Sequence, residues 1–219
     1  MPKIIISLGG SVYNPNKFRY KYLEKLFSLL SEYNNQYIIV CGGGASARNK
    51  INDAKKQGLS NKEQDLKGIE AINENIIKIG DIFYKYFPKL KITEKYSEVK
   101  GKYNFIVGAE KPGRSSDWNA VKIAENLNVD LILNLSNTDQ IYTKDPSKYK
   151  TAKPLKNISW NYYLREICKK EIPGGHYPFD PIASKLAKSK KIKVYFVNGN
   201  KLNRIKKFFE KQEYGSLIE

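Results

Sequence analysis

Short apolar runs alternate along this chain with longer stretches in which apolar residues recur every three to four positions. Lys3 to Leu8 is the first run, rich in isoleucine and stopped by Gly9 and Gly10. That pattern predicts a buried strand. Phe18 to Tyr33 follows with Tyr22, Leu23, Leu26, Phe27, Leu29 and Leu30 at the spacing of one helix face. Gln36 to Cys41 is a second apolar run, closed by Gly42, Gly43 and Gly44, and Ala45 to Lys56 has helical character. Asn61 to Tyr86 carries a stripe of Leu66, Ile69, Ile72, Ile76, Ile77, Ile79 and Ile82, and Pro88 ends it. Leu90 to Glu94 and Tyr103 to Val107 are strand candidates, the second ended by Gly108. A turn-rich loop from Ala109 to Ser116 leads to a helix over Asp117 to Leu127 and a central strand over Val129 to Leu135. Ser136 to Lys156 is polar and reads as a loop with a hairpin. Trp160 to Lys170 is a helix candidate, and Gly174 and Gly175 break the chain. Helix, strand and helix then follow over Pro181 to Lys190, Lys193 to Val197 and Leu202 to Gln212. Strand and helix in regular alternation predict an α/β fold around a mainly parallel sheet.

Composition narrows this little but excludes much. A chain of 219 residues, 41% hydrophobic and 28% charged, matches an ordinary globular protein. Collagen-like, coiled-coil and largely disordered readings fall away. No apolar run is long enough for a transmembrane helix, and Ile4 to Leu8 lacks the flanks of a signal peptide. Cys41 and Cys168 are far apart and form no Cys-x-x-Cys pair, so reduced thiols and a cytoplasmic setting are the expectation. His176 is the single histidine and builds no metal site alone. The net charge of +17 raises nucleic-acid binding as a reading. Only five of the basic residues are arginine, the type favoured for phosphate and base recognition, and the lysines are spread along the chain. A general lysine bias, with attraction for small anionic substrates, accounts for the charge better.

Chemistry is concentrated in three glycine-bearing loops, each following a strand candidate: Gly9 to Ser11, Gly42 to Gly44, and Gly108 to Asp117. In open parallel sheets the strand C-termini share one edge, and ligands bind there. Glycine lets backbone N–H groups approach a phosphate closely. The sequence has no Walker A spacing and no Gly-x-Gly-x-x-Gly. Three such loops on one edge point to phosphate binding.

These segments resemble the amino-acid kinase superfamily, in order and over nearly the whole chain. Ile6 to Ser11 (Ile-Ser-Leu-Gly-Gly-Ser) and Val40 to Arg48 (Val-Cys-Gly-Gly-Gly-Ala-Ser-Ala-Arg) resemble its first two loops. Lys111 to Asp117 (Lys-Pro-Gly-Arg-Ser-Ser-Asp) is similar to its Pro-Gly-x-Thr-Thr-Asp loop. Asn137 to Pro146 and Asp180 to Lys185 resemble its Asn-Val-Asp-Gly-Val-Tyr-Thr-x-Asp-Pro and Asp-Pro-Leu-Ala-Ala-Lys segments. The nearest pattern is the short, archaeal-type uridylate kinase branch. The resemblance implies a three-layer α/β/α sandwich forming a single domain, with an acceptor-binding lobe to about residue 111 and an ATP-binding lobe after it. It implies phosphoryl transfer from ATP, with Mg²⁺, to UMP. Gly10, Ser11, Arg48 and Lys185 would act at the transferring phosphate. Gly9, Gly10, Gly44, Arg48, Ser136, Asn137, Tyr142 and Asp145 would hold ATP. Gly43, Asp65, Lys111, Pro112, Gly113, Arg114, Ser115, Ser116 and Asp117 would hold UMP. No protein-bound metal site is implied. A homo-oligomer, dimer or hexamer, is implied through the first-lobe helices.

Several residues keep a plain structural alternative. Tyr142 packs a hairpin or meets the nucleotide, Asp145 starts a turn or binds, and Lys185 is a surface lysine or a catalyst. Asp65 reads as a carboxylate opening the long helix, solvated or ligand-binding, and Asp117 as a helix cap combined with a ligand role. The sequence also departs from the family pattern. Ser7 stands where many members have lysine, a lysine that the archaeal-type branch also lacks. Gln140 replaces a glycine, and a positive φ there would strain it. Ser115 and Ser116 replace a threonine pair, and Asn73 replaces a frequent arginine. A different acceptor, or nucleotide binding without turnover, are the alternatives these departures keep open.

Overall fold

The computed structural model describes residues 1–168, 177–212 and 214–219; the expected break at Gly174 and Gly175, the end of the Trp160 to Lys170 helix, and His176 lie outside them. The strands are β1 (Lys3–Leu8), β2 (Gln36–Cys41), β3 (Leu90–Thr93), β4 (Asn104–Val107), β5 (Leu131–Ser136), β6 (Ile141–Tyr142), β7 (Pro154–Leu155), β8 (Asn157–Ile158), β9 (Lys193–Asn198) and β10 (Ser216–Ile218). The helices are α1 (Gly10–Tyr13), α2 (Tyr20–Ser31), α3 (Gly44–Lys56), α4 (Asn61–Tyr84), α5 (Ser116–Leu127), α6 (Trp160–Tyr162), α7 (Pro181–Ser189) and α8 (Leu202–Phe209). No helix among the described residues is long and apolar enough to cross a membrane.

Eight strands form one sheet in the order β3-β4-β2-β1-β5-β9-β10-β8, all parallel to their neighbours except the β9–β10 pair. Alternation along the central strands sends side chains to two cores. Ile5, Ile38, Val40 and Ile132 face the helix layer that includes α5 and α7. Ile6, Leu8, Ile39, Cys41 and Leu133 face the layer that includes α2, α4 and α8. α3 lies against α4. Ile5, Ile6 and Leu8 are fully buried, each worth about 1.5–3 kcal/mol of transfer free energy. The arrangement is a three-layer α/β/α sandwich, as the resemblance implied. From β1 the chain moves toward β2, and from β5 it moves toward β9. The β1–β5 boundary is therefore the switch point of the sheet, and its carboxyl edge is where such folds bind ligands.

Local chemistry sets the helix boundaries. Ser60 and Glu63 form a reciprocal capping box that starts α4 at Asn61. Asp65 consequently lies inside the helix instead of opening it. Ser115, not Asp117, caps α5, its hydroxyl accepting from Trp118 N at 3.1 Å. Asp180 caps α7 by accepting from Ala183 N at 2.7 Å, with Pro181 in the first turn. The Trp160 helix is shorter than its periodicity suggested and passes into a π-helical turn, Tyr163–Ile167. Tyr163 in that turn is anchored, its hydroxyl donating to Phe179 O and accepting from Phe179 N, at 2.9 and 2.7 Å.

Asp117, freed from capping, ties the two halves of the sheet to α7. Its Oδ1 accepts from Ser7 Oγ on β1 at 2.8 Å and from Asn134 Nδ2 on β5 at 3.3 Å. Its Oδ2 accepts from Asp180 N at 3.0 Å. The residue keeps some exposed surface, but its carboxylate sits deep among these partners. Burial raises its pKa from 3.8 to about 6, opposed by the Asp180 amide and the Ser7 hydroxyl. Between about pH 4 and 6 the folded chain therefore holds a proton that the unfolded chain has released. Stability from this group is greatest below that window and falls as the pH rises through it. Glu125, lowered by Lys122 and Lys190, and Asp139, lowered chiefly by Lys201, contribute the opposite slope. The readout is thus the difference between wild type and Asp117→Asn in urea unfolding from pH 4 to 7. The wild type should lose on the order of 1 kcal/mol relative to the variant across this range. A pH-independent difference would exclude Asp117 as the titrating group.

Candidate active site

Two glycine loops cross at the switch point with only backbone between them. A Cβ on Gly10 would overlap the Gly44 backbone, and one on Gly42 would lie 2.9 Å from Gly10 N. Gly44 also has φ of +64°, a conformation that side chains disfavour. Gly9 is spoken for by the sheet, its N–H donating to Leu135 O at 2.9 Å. Beyond it, Gly10 and Ser11 open α1, while Gly43 and Gly44 open α3. Among the described residues, the N–H groups of Gly10, Ser11, Gly43 and Gly44 meet no acceptor, backbone or side chain. Four unpaired donors at touching helix N-termini form a cradle for an anion with several oxygens.

A cleft of about 680 Å³ lies at the end of β5, a volume suited to a small organic ligand. Ser136, Asn137, Tyr142 and Asp145, the four residues matched to the adenosine side, all line it, and so does Gln140. Asp145 also closes a turn, accepting from Ser147 N at 2.9 Å and from its hydroxyl, and these bonds lower its pKa. Gln140 is not strained. Positive φ among non-glycine described residues occurs only at Asn128, Lys191 and Lys211. Its amide donates to Gly215 O at 3.0 Å, tying the cleft wall to the residue before β10.

The loop from Lys111 to Ser115 lies over the other side. Gly113 N donates to Asp65 Oδ2 at 3.0 Å, which brings together two elements matched to the acceptor. Gly113 has φ of +72° and open space around it. Arg114 rests its guanidinium 4.5 Å above the Trp118 ring. Lys111 is exposed, 3.8 Å from Glu110, and Pro112 is half-buried. Ser116 faces the second glycine loop, its Oγ 3.5 Å from where a Gly42 Cβ would be. Arg48 is exposed and donates to Pro15 O at 2.6 Å. Lys185 is exposed on the second turn of α7.

Two substituted positions have defined partners. Ser7 donates its hydroxyl to Asp117. Asn73 clamps the backbone of Ala109, donating to its carbonyl and accepting from its N–H, both at 3.0 Å. Sequence reasoning missed a third group: Tyr13, Asn14, Ser46 and Asn75, which surround the second glycine loop. Asn75 carried a signal, since it is polar yet 2% exposed beside Ile76 in the apolar stripe of α4.

This geometry has counterparts. Residues 103–198 match the model of the amino acid kinase family. The chain is 31% identical to the uridylate kinase of Methanobrevibacter smithii, over 99% of this chain and 98% of that one. It is 30% identical to the uridylate kinase of Hyperthermus butylicus, over 100% and 99%. The crystal structure of uridylate kinase from Archaeoglobus fulgidus superposes with a TM-score of 0.83 at 26% identity, covering all of both chains. With two loops crossing at the switch point, a cleft beside them and full-length likeness of this degree, the chain belongs to the amino acid kinase family, in its uridylate kinase group.

Proposed function

We propose that this protein transfers the γ-phosphate of ATP to UMP, giving UDP and ADP. The observation that carries the reading is the cradle of four unpaired N–H groups at Gly10, Ser11, Gly43 and Gly44. Its donors suit equatorial oxygens of a transferring phosphoryl group, where charge must be stabilised without a protein nucleophile. A phosphate oxygen of UMP attacks the γ-phosphorus, the bond to the bridging oxygen breaks, and ADP leaves with that oxygen. The acceptor oxygen is already ionised, so no general base is needed. The residues' task is alignment of two polyanions.

In this reading the cleft lined by Ser136, Asn137, Tyr142 and Asp145 takes the adenosine part of ATP. UMP lies under the loop from Lys111 to Asp117, with Asp65 toward its ribose. Arg48, Lys111, Arg114 and Lys185 supply positive charge. Among the described residues no three of His, Cys, Asp and Glu converge. Mg²⁺ arriving with ATP would add positive charge against the phosphates. The two halves of the sheet would serve as acceptor and ATP lobes of one domain. The reading includes a cytoplasmic setting and a homo-oligomer. Support for the oligomer comes from α4, which leaves Leu66, Ile77 and Tyr84 exposed at 45%, 58% and 58%.

Purified protein with ATP and Mg²⁺, offered UMP, CMP, dTMP, an acyl acceptor such as acetylglutamate, and isopentenyl phosphate, should form UDP from UMP in preference to every other product. Turnover of another acceptor in its place would keep the family and reject the substrate. The two sides of the site should also separate kinetically. Tyr142→Ala should raise KM for ATP about tenfold, the scale of one lost ring contact, with KM for UMP little changed. Asp65→Ala should do the reverse by about tenfold, as expected for a lost charged hydrogen bond. Parallel changes in both KM values for either variant would contradict the assignment.

A further inference from the structure

Orientation of the donors in the second glycine loop is itself controlled. In a trans peptide the carbonyl and the N–H point to opposite sides. Fixing the carbonyl of Gly42 therefore aims the N–H of Gly43, and fixing the carbonyl of Gly43 aims the N–H of Gly44. Both carbonyls are held from the side away from the Gly10 loop's donors. Tyr13 donates its hydroxyl to Gly42 O. Asn75 donates Nδ2 to Ser46 Oγ at 2.8 Å and to Gly43 O at 3.4 Å. Ser46 Oγ lies 3.5 Å from the same Gly43 carbonyl and also accepts from Asn14 Nδ2. Asn14 closes the set through its backbone, its carbonyl accepting Ala45 N at 2.7 Å.

We infer that Tyr13, Ser46 and Asn75 are positioning residues for phosphoryl transfer, which lock two peptide planes so that the Gly43 and Gly44 N–H groups face the anion. None touches the phosphate. Tyr13 is fully buried, Asn75 is 2% exposed and Asn14 is 4% exposed, while Ser46 keeps some exposed surface. Burial raises the Tyr13 phenol well above its ordinary value, which keeps it a donor at every working pH. Three different elements contribute: α1, the start of α3, and the fourth turn of α4. The clamp is independent of Ser7 and Asp117, which tie the opposite face of β1.

The inference rests on the proposed kinase reading for its kinetic consequence, though not for its binding consequence. Tyr13→Phe and Ser46→Ala each remove one hydroxyl with little loss of volume, and Ser46→Thr restores it. Two readouts are needed: binding of inorganic tripolyphosphate by calorimetry, and kcat against KM with ATP and UMP. Tyr13→Phe and Ser46→Ala should weaken tripolyphosphate about fivefold or more. They should lower kcat roughly ten- to hundredfold, less than deletion of a whole donor, with smaller changes in KM. Ser46→Thr should recover most of both. Wild-type binding and turnover in Tyr13→Phe and Ser46→Ala would overturn the clamp. If the wild type fails to phosphorylate UMP, the substrate reading fails, and the tripolyphosphate series still decides the clamp.

Discussion

Everything in the site depends on the close passage of two backbones, Gly10 against Gly44, with no side chain between them. The contact sets how near two helix N-termini can come, and so how densely donors gather at one point. A single methyl group at either position would push the loops apart. The rest of the first half of the chain serves that contact. Paired strands β1 and β2 bring the loops to one edge in register, Leu8 opposite Cys41. Helix α4 buries its apolar face on the sheet and delivers Asn75 to the underside of the second loop. The cationic surface is secondary. Arg48 and Arg114 have a carbonyl and an indole ring as partners, while the donors at the crossing have none.

The site also shows how polar groups are used where a family relative would place charge. Ser7 and Asn73, the two positions at which the sequence departs toward uncharged residues, are not idle. One holds a buried carboxylate and the other clamps a backbone. Both fix geometry through hydrogen bonds. The Asn73 clamp is neutral on both sides, whereas the Ser7 tie holds a carboxylate whose burial raises its pKa. Positive charge for a polyanionic ligand is offered by the exposed rim, including Lys111 and Lys185, and by aligned peptide dipoles.

Much of this was legible in the sequence, for physical reasons that differ by element. β1, β2, β5 and β9 are short apolar runs ended by glycine or polar turns, so period and punctuation agree. The glycine loops were legible because glycine marks close backbone approach. The short pieces were not. β8 and β10 are two and three residues long and exist only because they pair with each other and with β9. α1 begins on a glycine and has no periodicity to read. Asp117 looked like a cap because it opens the helical pattern; Ser115, two residues earlier, has the free geometry to cap, and Asp117 is turned inward by Ser7 and Asn134. Partners more than a hundred residues away, like Ser7 for Asp117, leave no local trace. Asn75 is the exception, since a polar residue inside an apolar stripe asks what it binds.

The sheet order carries a consequence for how the chain is made. β1 pairs on one side with β2 and on the other with β5, so Ile5 lies opposite both Ile38 and Ile132. On a ribosome the first pairing is available once β2 has emerged, whereas the second waits for almost a hundred further residues, roughly 5 to 20 s of synthesis. During that interval β1 is an open, isoleucine-rich edge of the kind that recruits other strands. The crossing of Gly10 and Gly44 belongs wholly to the part already made, so the phosphate cradle can assemble before the cleft beside it exists. A nascent chain at that stage would carry both a hazard and a ligand site, and an anion bound there would stabilise the half-sheet while its second half is still being translated.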